Sequence, residues 1–295
     1  MDFKDTFFSD KQSLNCRGKL LNFTPPLIMG ILNITPDSFY TGSRNTDPAD
    51  ISKEAAKMLE QGAGILDVGA YSSRPGARGI SEEEEMDRLD GALTVIRKSF
   101  PEALVSVDTF RSGVARRVVE YFGIDLINDI SGGDLDKNMY PTIAGLGIPY
   151  IIMHMKGNPA NMQEHTLYEN VVKEIIQDFS DKTGRLNSLG VNDIIIDPGF
   201  GFAKTTEQNF EILNKLEAFH IFKQPLMVGI SRKSMIYKIL ECSPEEALNG
   251  STVLHTIALM KGASILRVHD VREAREAIQL AGKTLEAGGR KWSDS

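Results

Sequence analysis

Cysteine is scarce in this chain, and its scarcity excludes one class of fold and one class of site. Only Cys16 and Cys242 occur among 295 residues, so we expect neither a disulfide framework nor a cysteine metal cluster. Two isolated thiols are typical of a reducing compartment. The N-terminal segment carries acidic residues and lacks the apolar stretch of a signal peptide. These features together predict a cytoplasmic protein.

Long apolar runs and an excess of positive charge are also absent. No run approaches the roughly 20 apolar residues that cross a bilayer, which predicts no membrane association. The 33 basic residues are outnumbered by 40 acidic ones, giving a net charge of −7, and this balance argues against a nucleic-acid partner. No linker rich in proline, glycine or serine divides the chain. The 41% hydrophobic content is enough for one continuous core.

Short apolar runs recur along the chain and are separated by stretches of helix length. They occupy residues 27–32, 64–70, 104–107, 126–127, 150–153, 193–196, 226–230 and 265–268. Strands that alternate with helices predict a parallel sheet. Their number favours an α/β fold of the (β/α)8 TIM-barrel type, in which the active site lies at the carboxyl ends of the strands.

The pattern also predicts the domain organisation. We expect one barrel domain over residues 27–288, an N-terminal extension over residues 1–26 and a tail over residues 289–295. The extension falls outside the repeating pattern, and we expect a short hairpin there that closes the bottom of the barrel. Ser81 and Glu84 predict a capping box at one helix start. Further helices are expected near residues 48–61, 113–122, 137–145, 167–188, 206–219, 244–261 and 271–287.

Polar side chains follow three of the predicted strands and would meet at one mouth of the barrel. Asp108, Asn128 and Asp197 stand at these strand ends. Buried carboxylates are costly without hydrogen-bond partners, so the three together predict a ligand such as a flat heterocycle with amino and carbonyl groups. Each could instead cap the following helix, and Asp108 is well placed to do so. Lys233 follows the seventh run. At this position it could bind a ligand or lie at the surface, and the sequence leaves both alternatives open.

Arg267 and His269 stand two positions apart on the last strand, so their side chains point the same way. A guanidinium beside an imidazole suits an anion. The alternative is an ion pair between Arg267 and Asp270 or another neighbouring carboxylate. His154 ends the fifth run and has no assigned role. The glycines of residues 197–202 do not form a dinucleotide fingerprint, and they predict a turn that brings backbone close to a ligand.

Seven motifs together resemble the dihydropteroate synthase family. They are GILNITPDSF at 30–39, SRPGA at 73–77, SVDT at 106–109, NDIS at 128–131, DPGFGF at 197–202, SRK at 231–233 and RVHD at 267–270. They follow the family order across nearly the whole chain. The resemblance implies a (β/α)8 barrel and a transferase of folate biosynthesis. This enzyme would condense 6-hydroxymethyl-7,8-dihydropterin diphosphate with p-aminobenzoate, giving 7,8-dihydropteroate and pyrophosphate. It also implies a Mg²⁺ cofactor, a homodimer and a sulfonamide target.

The resemblance further implies a role for each matching residue. The pterin would be held by Asp108, Asn128, Asp197, Lys233, Met153, Phe202 and Gly229. The diphosphate would be held by Asn33, Arg267 and His269, with Asn33 also a Mg²⁺ ligand. The p-aminobenzoate would lie near Phe39, Ser73, Arg74, Pro75 and Ser234. The catalytic set would be Asp108, Lys233, Arg267 and His269. On these assignments, Arg267→Ala should weaken diphosphate binding and spare binding of the pterin alone.

Two loops depart from the family pattern, and two other functions compete. Residues 40–43 read YTGS where the family has Ser-Asp-Gly-Gly, and residues 70–73 read AYSS where it more often has Gly-Glu-Ser-Thr. These changes predict an altered first loop and a looser p-aminobenzoate pocket.

A pterin-binding methyltransferase would share the pterin residues but has no need of Arg267 with His269. A non-catalytic pterin-binding paralogue would not need the intact Asn33, Lys233, Arg267 and His269.

Overall fold

The computed structural model describes residues 13–34, 47–72, 79–289 and 292. The predicted site residues Phe39, Ser73, Arg74 and Pro75 lie outside these ranges, and so do both departures from the family pattern except residues 70–72. The roles assigned to them therefore stay predictions.

The described chain alternates strands and helices almost throughout. Its strands are β1 (Ser13–Cys16), β2 (Lys19–Asn22), β3 (Leu27–Asn33), β4 (Ile65–Gly69), β5 (Val105–Asp108), β6 (Leu126–Asp129), β7 (Tyr150–Met153), β8 (Ile194–Asp197), β9 (Met227–Val228) and β10 (Ile265–Val268). Its α-helices are α1 (Pro48–Gln61), α2 (Glu82–Ser99), α3 (Ser112–Phe122), α4 (Met139–Leu146), α5 (Val171–Ser188), α6 (Thr206–Asn214), α7 (Ser234–Tyr237), α8 (Leu248–Met260) and α9 (Val271–Ala287). Short 3₁₀ helices cover Met162–Glu164, Leu216–Phe222 and Pro244–Glu246.

Eight of the strands form one sheet that closes on itself. The order is β8-β7-β6-β5-β4-β3-β10-β9, and neighbouring strands run parallel. A parallel bridge between Ile196 and Leu226 joins the two ends of this order. Helices follow the strands along the chain, as in a (β/α)8 barrel. The predicted fold class is confirmed.

The barrel strands separate two apolar cores. Outward side chains such as Leu32, Val68 and Ile196 pack under the helices. Inward side chains such as Met29 and Ile65 fill the lower end of the barrel, near the strand starts. The antiparallel β1–β2 hairpin adds Leu14, Cys16, Leu21 and Phe23 to this inner core. A hairpin thus lies where the sequence predicts one, while the domain boundaries at residues 26 and 288 remain predictions.

Local signals set the helix boundaries, and three sequence predictions differ from the structure, one of them the helix over 244–261, which is divided into a 3₁₀ helix over Pro244–Glu246 and α8. Ser81 Oγ accepts from the Glu84 amide at 3.1 Å, but the Glu84 carboxylate accepts from Arg88 at 2.6 Å and so lies along the helix. A complete capping box occurs instead at Thr205 and Gln208. The prediction of one helix over 206–219 is wrong, because α6 ends at Asn214 and a 3₁₀ helix follows. No helix in the described ranges is long and apolar enough to cross a membrane.

Candidate active site

The carboxyl ends of the first four barrel strands place polar residues in one row. Register pairs Asn33 with Gly69, Gly69 with Asp108, and Asp108 with Asn128. A Cβ atom on Gly69 would lie 3.7 Å from Asn33 Oδ1 and 3.8 Å from Asp108 Oδ2. The missing side chain at Gly69 therefore leaves space between the amide and the carboxylate. The structure brings these three predicted site residues together at the mouth.

Asp67, which the sequence reasoning missed, lies below this row at the centre of a buried network. Its Oδ2 accepts from Arg267 Nε at 2.6 Å and from Asn128 Nδ2 at 3.0 Å. Arg267 Nη2 donates to Asp108 Oδ2 at 2.8 Å. Asp67 is fully buried, and its Oδ1 has no hydrogen-bond partner within the described chain. A carboxylate inside an apolar run was the available signal, because such a group must find a partner.

These contacts decide two alternatives that the sequence left open. Arg267 does pair with neighbouring carboxylates, but Asp270 is not among them, because Asp270 pairs with Arg232 at 2.8 Å. Asp108 is not a helix cap, since the Ser112 amide at the start of α3 donates to Asp136 Oδ2 at 2.7 Å.

The pKa values of both partners of this ion pair are raised, with opposite consequences for their charge. Burial raises the pKa of Asp108 to about 7, although the Arg267 guanidinium opposes the rise. Burial alone would lower the pKa of Arg267, but Asp67 and Asp108 raise it above its ordinary value. Arg267 is therefore a permanent cation, whereas the charge on Asp108 responds to its surroundings.

A second polar group lies across the mouth, around the ends of β8 and β9. Asp197 Oδ1 accepts from the Gly199 amide at 2.8 Å. Lys233 Nζ donates to the Phe200 carbonyl and stands 4.4 Å from the centre of the Phe202 ring. Burial raises the pKa of Asp197, with Lys233 opposing it. Burial lowers the pKa of Lys233 to about 8.

Gly229 joins the two polar groups. A Cβ atom there would lie 3.8 Å from Asp197 Oδ2 and 3.9 Å from Arg267 Cβ. A larger residue would crowd the carboxylate face that Asp197 turns into the barrel. The space left by Gly229 therefore connects the Asp197–Lys233 side of the mouth with the Arg267 side.

An apolar wall borders this space. Met153 is buried and Phe202 is half-buried, and both belong to one cluster above the barrel interior. The other members are Ile130, Met155, Met162, Ala203 and Phe110. The cluster sets flexible methionine side chains beside an aromatic ring, which suits packing against a flat ligand.

His269 and Ser234 lie nearer the rim. Ser231 Oγ is 3.1 Å from His269 Nδ1 and accepts from the His269 amide at 3.2 Å. His269 is exposed, whereas Arg267 two positions earlier is half-buried. Ser234 is the first residue of α7 and directly follows Lys233. Arg267 and His269, two of the three predicted diphosphate residues, thus lie at different depths of the mouth.

The side-chain oxygens at the mouth can be compared with the ligands that the predicted magnesium ion needs. The described residues contain no group of three or more His, Cys, Asp or Glu side chains that could hold a metal. Asn33 Oδ1 and the Asp108 carboxylate face the same gap beside Gly69. Mg²⁺ commonly binds one or two protein oxygens together with waters and substrate phosphates. The residues therefore fit a Mg²⁺ ion that is shared with a diphosphate rather than one held by the protein alone.

A closed barrel with buried carboxylates facing a lysine and an apolar wall is an arrangement suited to pterin-binding enzymes. The family described as pterin binding enzyme matches residues 29–269. The dihydropteroate synthase of Escherichia coli is 41% identical over 280 residues, covering 94% of this chain and 98% of that protein. The chain belongs to the dihydropteroate synthase family.

Solved structures of the family also resemble this chain in three dimensions. The dihydropteroate synthase of Yersinia pestis, in complex with a sulfonamide drug, matches with a TM-score of 0.87 and 38% identity, over 92% of this chain and 98% of that one. The Thermus thermophilus enzyme in complex with 4-aminobenzoate matches with a TM-score of 0.82 and 35% identity, over 91% of this chain and 98% of that one.

Proposed function

We propose that this chain carries out the reaction of its family with the residue roles set out below. It condenses 6-hydroxymethyl-7,8-dihydropterin diphosphate with p-aminobenzoate, giving 7,8-dihydropteroate and pyrophosphate in folate biosynthesis. The observation that carries the assignment is the pairing of two sub-sites across Gly229. One sub-site offers a carboxylate, a lysine and an apolar wall to a flat heterocycle. The other offers Arg267 beside Asn33 and Asp108, which suits a diphosphate with its cation.

The first sub-site has the groups that a pterin needs. Asp197 Oδ2 can accept hydrogen bonds from the amino group and ring N–H of the pyrimidine edge. Lys233 can donate to a ring oxygen or nitrogen, and Asn128 can pair with the remaining edge. Met153 and Phe202 would lie against the ring faces. Every polar edge of the heterocycle then has a partner, which offsets the cost of removing it from water.

The second sub-site handles charge as the leaving group departs. Loss of pyrophosphate from a CH₂ on an electron-rich dihydropterin leaves a delocalised cation, so bond breaking can precede amine attack. Asp108 stands where a carboxylate can stabilise that cation. Nε and Nη2 of Arg267 are engaged by Asp67 and Asp108, so Nη1 is the donor we assign to the diphosphate, with His269 at the rim. When bound beside Asn33, Mg²⁺ would neutralise diphosphate charge.

The second substrate needs positioning more than activation. The aromatic amine of p-aminobenzoate is a weak nucleophile, and its rate gain comes from being held against the cation. We assign Ser234 to this region, together with the predicted residues Phe39, Ser73, Arg74 and Pro75. The Thermus enzyme was solved with 4-aminobenzoate and the Yersinia enzyme with a sulfonamide. We propose that this chain binds both compounds at the same place.

Pyrophosphate release tests the function directly. Purified protein is supplied with the pterin diphosphate and Mg²⁺, with and without p-aminobenzoate. We expect turnover that depends on p-aminobenzoate, and an added sulfonamide should compete with it. Pterin binding without p-aminobenzoate-dependent turnover would favour the non-catalytic paralogue. Methyl transfer from a methylated tetrahydrofolate to a corrinoid would favour the methyltransferase.

Pterin binding should depend on pH through Lys233. Its pKa of about 8 means that the ammonium is charged below this pH and loses its proton above it. We expect affinity for 6-hydroxymethyl-7,8-dihydropterin to fall as the pH rises through about 8. Titration calorimetry across that range measures the fall. The Lys233→Met variant should bind weakly and lack the step near pH 8, and a step of wild-type size in that variant would contradict the assignment.

We propose that the chain forms a homodimer through α8 and the segment after α7. Leu240, Val253 and Ile257 are apolar but exposed. A Cβ atom on Gly250 would lie 2.9 Å from Leu240 Cδ1, and residues 250, 253 and 257 share one face of α8. The three apolar side chains therefore form one strip.

We also propose a cytoplasmic location, since both cysteines are free thiols.

A charge placed in this strip should separate the subunits. We expect the Val253→Glu variant to elute as a monomer, because a buried unpaired carboxylate opposes association. Light scattering coupled to size-exclusion chromatography gives the mass. Leu280→Glu on α9, at an exposed apolar site outside the strip, is the control and should remain dimeric. A monomeric wild type would remove the basis for the proposal.

A further inference from the structure

Lys204 is a buried cation that the reaction scheme above does not use. It lies just beyond the turn that follows β8, and only 4% of its surface is exposed. Removing an ammonium from water is costly unless its protons find acceptors. Burial accordingly lowers the pKa of Lys204 to about 7, although Asp197 opposes the fall. We therefore expect this buried lysine to have a structural or functional role.

The partners of Lys204 are all uncharged acceptors from two segments of the chain. Its Nζ donates to the carbonyls of Gly199 and Phe202, both at 2.9 Å, and of His154 at 3.2 Å. The fourth contact is His154 Nδ1 at 3.1 Å, so the two acceptors on His154 share one of the three ammonium protons. Burial and the nearby Lys204 lower the pKa of His154 well below its usual value. The imidazole is therefore neutral, and Nδ1 can accept from the ammonium while Nε2 carries the proton.

These contacts fasten the turn over residues 198–203 to the end of β7. The turn is tightly constrained, since Gly199 has φ of +73° and a Cβ atom there would meet the His154 carbonyl oxygen at 2.1 Å. The His154 amide also donates to the Asp197 carbonyl at 3.1 Å. One ammonium thus holds both ends of the turn in place. Backbone carbonyls in loops are more often satisfied by water or by other backbone groups.

The turn contains one residue assigned to the pterin, Phe202, and orients a second, Asp197. The Gly199 amide fixes the Asp197 carboxylate through Oδ1 at 2.8 Å. The Phe202 ring forms part of the apolar wall and lies below the Lys233 ammonium. Since Lys204 binds the carbonyls of both Gly199 and Phe202, a shift of the turn would move the hydrogen-bonding edge and the stacking wall together.

We propose that Lys204 is a positioning residue for the pterin, holding the turn over residues 198–203 against His154 so that Asp197 and Phe202 meet the ring together. This inference rests on the proposed function, because it concerns the same pterin sub-site. It also gives His154 a role, as the acceptor that anchors the ammonium. Lys204 acts through the turn, so its loss should affect the pterin and leave the diphosphate side intact.

Two substitutions of similar volume separate the donors from the packing. Lys204→Met fills the site without a donor, whereas Lys204→Gln keeps an amide that can donate to the carbonyls. We expect Lys204→Met to bind 6-hydroxymethyl-7,8-dihydropterin about 10- to 100-fold more weakly in calorimetry, as expected for buried carbonyls left without a donor. Lys204→Gln should recover part of that loss. Affinity for inorganic pyrophosphate with Mg²⁺ should stay within about twofold of wild type.

The controls keep each failure distinct. Lys215→Met makes the same change at an exposed lysine directly after α6, whose partner is Glu211, and should bind the pterin as wild type does. His154→Ala removes one acceptor and should weaken pterin binding in the same direction, which carries the test if Lys204→Met is too unstable to purify. Wild-type pterin affinity in Lys204→Met would overturn the inference, as would an equal loss of pterin and pyrophosphate binding. If Lys204→Met cannot be purified, wild-type affinity in both Lys204→Gln and His154→Ala would overturn it instead. A wild type that does not bind the dihydropterin would overturn the proposed function and the inference with it.

Discussion

Replacing Asp197 with asparagine is expected to abolish measurable pterin binding while leaving the barrel folded. The substitution keeps the shape of the side chain and leaves an oxygen to accept from the Gly199 amide, which lies 2.8 Å from Oδ1. It turns the second oxygen into an amide that donates toward the amino group and ring N–H of the pterin. Two donors then face each other in a buried space, and Lys233 loses its counter-charge. We expect kcat/KM to fall by roughly 10³ or more, equivalent to about 4 kcal/mol.

Calorimetry with 6-hydroxymethyl-7,8-dihydropterin and steady-state kinetics measure this loss. Asp181→Asn on α5 makes the same change at an exposed position and should behave as wild type in both assays. A variant of Asp197 that keeps pterin affinity, with an unaltered circular dichroism spectrum, would show that the carboxylate does not read the pterin edge. Asp197→Ala should give the same loss without the opposed donors.

Removing the Arg267 guanidinium should cost both stability and pterin binding, and the second loss differs from the expectation based on the motif alone. The motif assigns Arg267 to the diphosphate and so predicts that Arg267→Ala spares the pterin. In the structure, Arg267 binds Asp108, which is assigned to the pterin, and the fully buried Asp67. Loss of one partner leaves buried carboxylates uncompensated, at a cost of about 3–5 kcal/mol in the free energy of unfolding. We expect this destabilisation in urea denaturation, together with weaker binding of both pterin and pyrophosphate.

A double-mutant cycle separates the structural part of that effect from the catalytic part. Asp67→Asn keeps the hydrogen bond to Asn128 within reach but removes the negative charge. Combined with Arg267→Met, it should recover part of the lost stability, because fewer unpaired charges remain in the core. Turnover should not recover, since the diphosphate still lacks its guanidinium. If Arg267→Met alone is as stable as wild type, the buried network does not contribute the expected free energy of unfolding.

Much of the site could be predicted from the sequence because parallel strands bring their carboxyl ends to one edge. That rule places Asn33, Asp108, Asn128 and Asp197 at the same mouth whatever the details of packing. The pairings across the mouth could not be predicted in the same way. Arg267 and Asp67 are 200 positions apart in the chain, and they meet only because the barrel closes and places β3 between β4 and β10.

Two residues escaped prediction for different physical reasons. Asp67 stands inside an apolar run, where the hydrophobic pattern describes the side of the strand that faces the helices and says little about the inner side. Lys204 follows a glycine-rich turn, and a lysine in a loop is usually solvated. Its burial follows from the fold of the turn back onto His154, which no local pattern encodes.

The hairpin at the foot of the barrel has a kinetic consequence. Because β1 and β2 add apolar side chains to the core at the lower end, the described part of the chain closes the barrel below the site, and we expect substrates to enter from the mouth. A ligand bound deep in such a site would bind before a ligand at the mouth and would leave after it. In the proposed assignment, the heterocycle meets side chains that project from the strands themselves, whereas the aromatic amine lies at the rim. We therefore expect pterin diphosphate to bind before p-aminobenzoate, because the barrel is closed below the assigned pterin site.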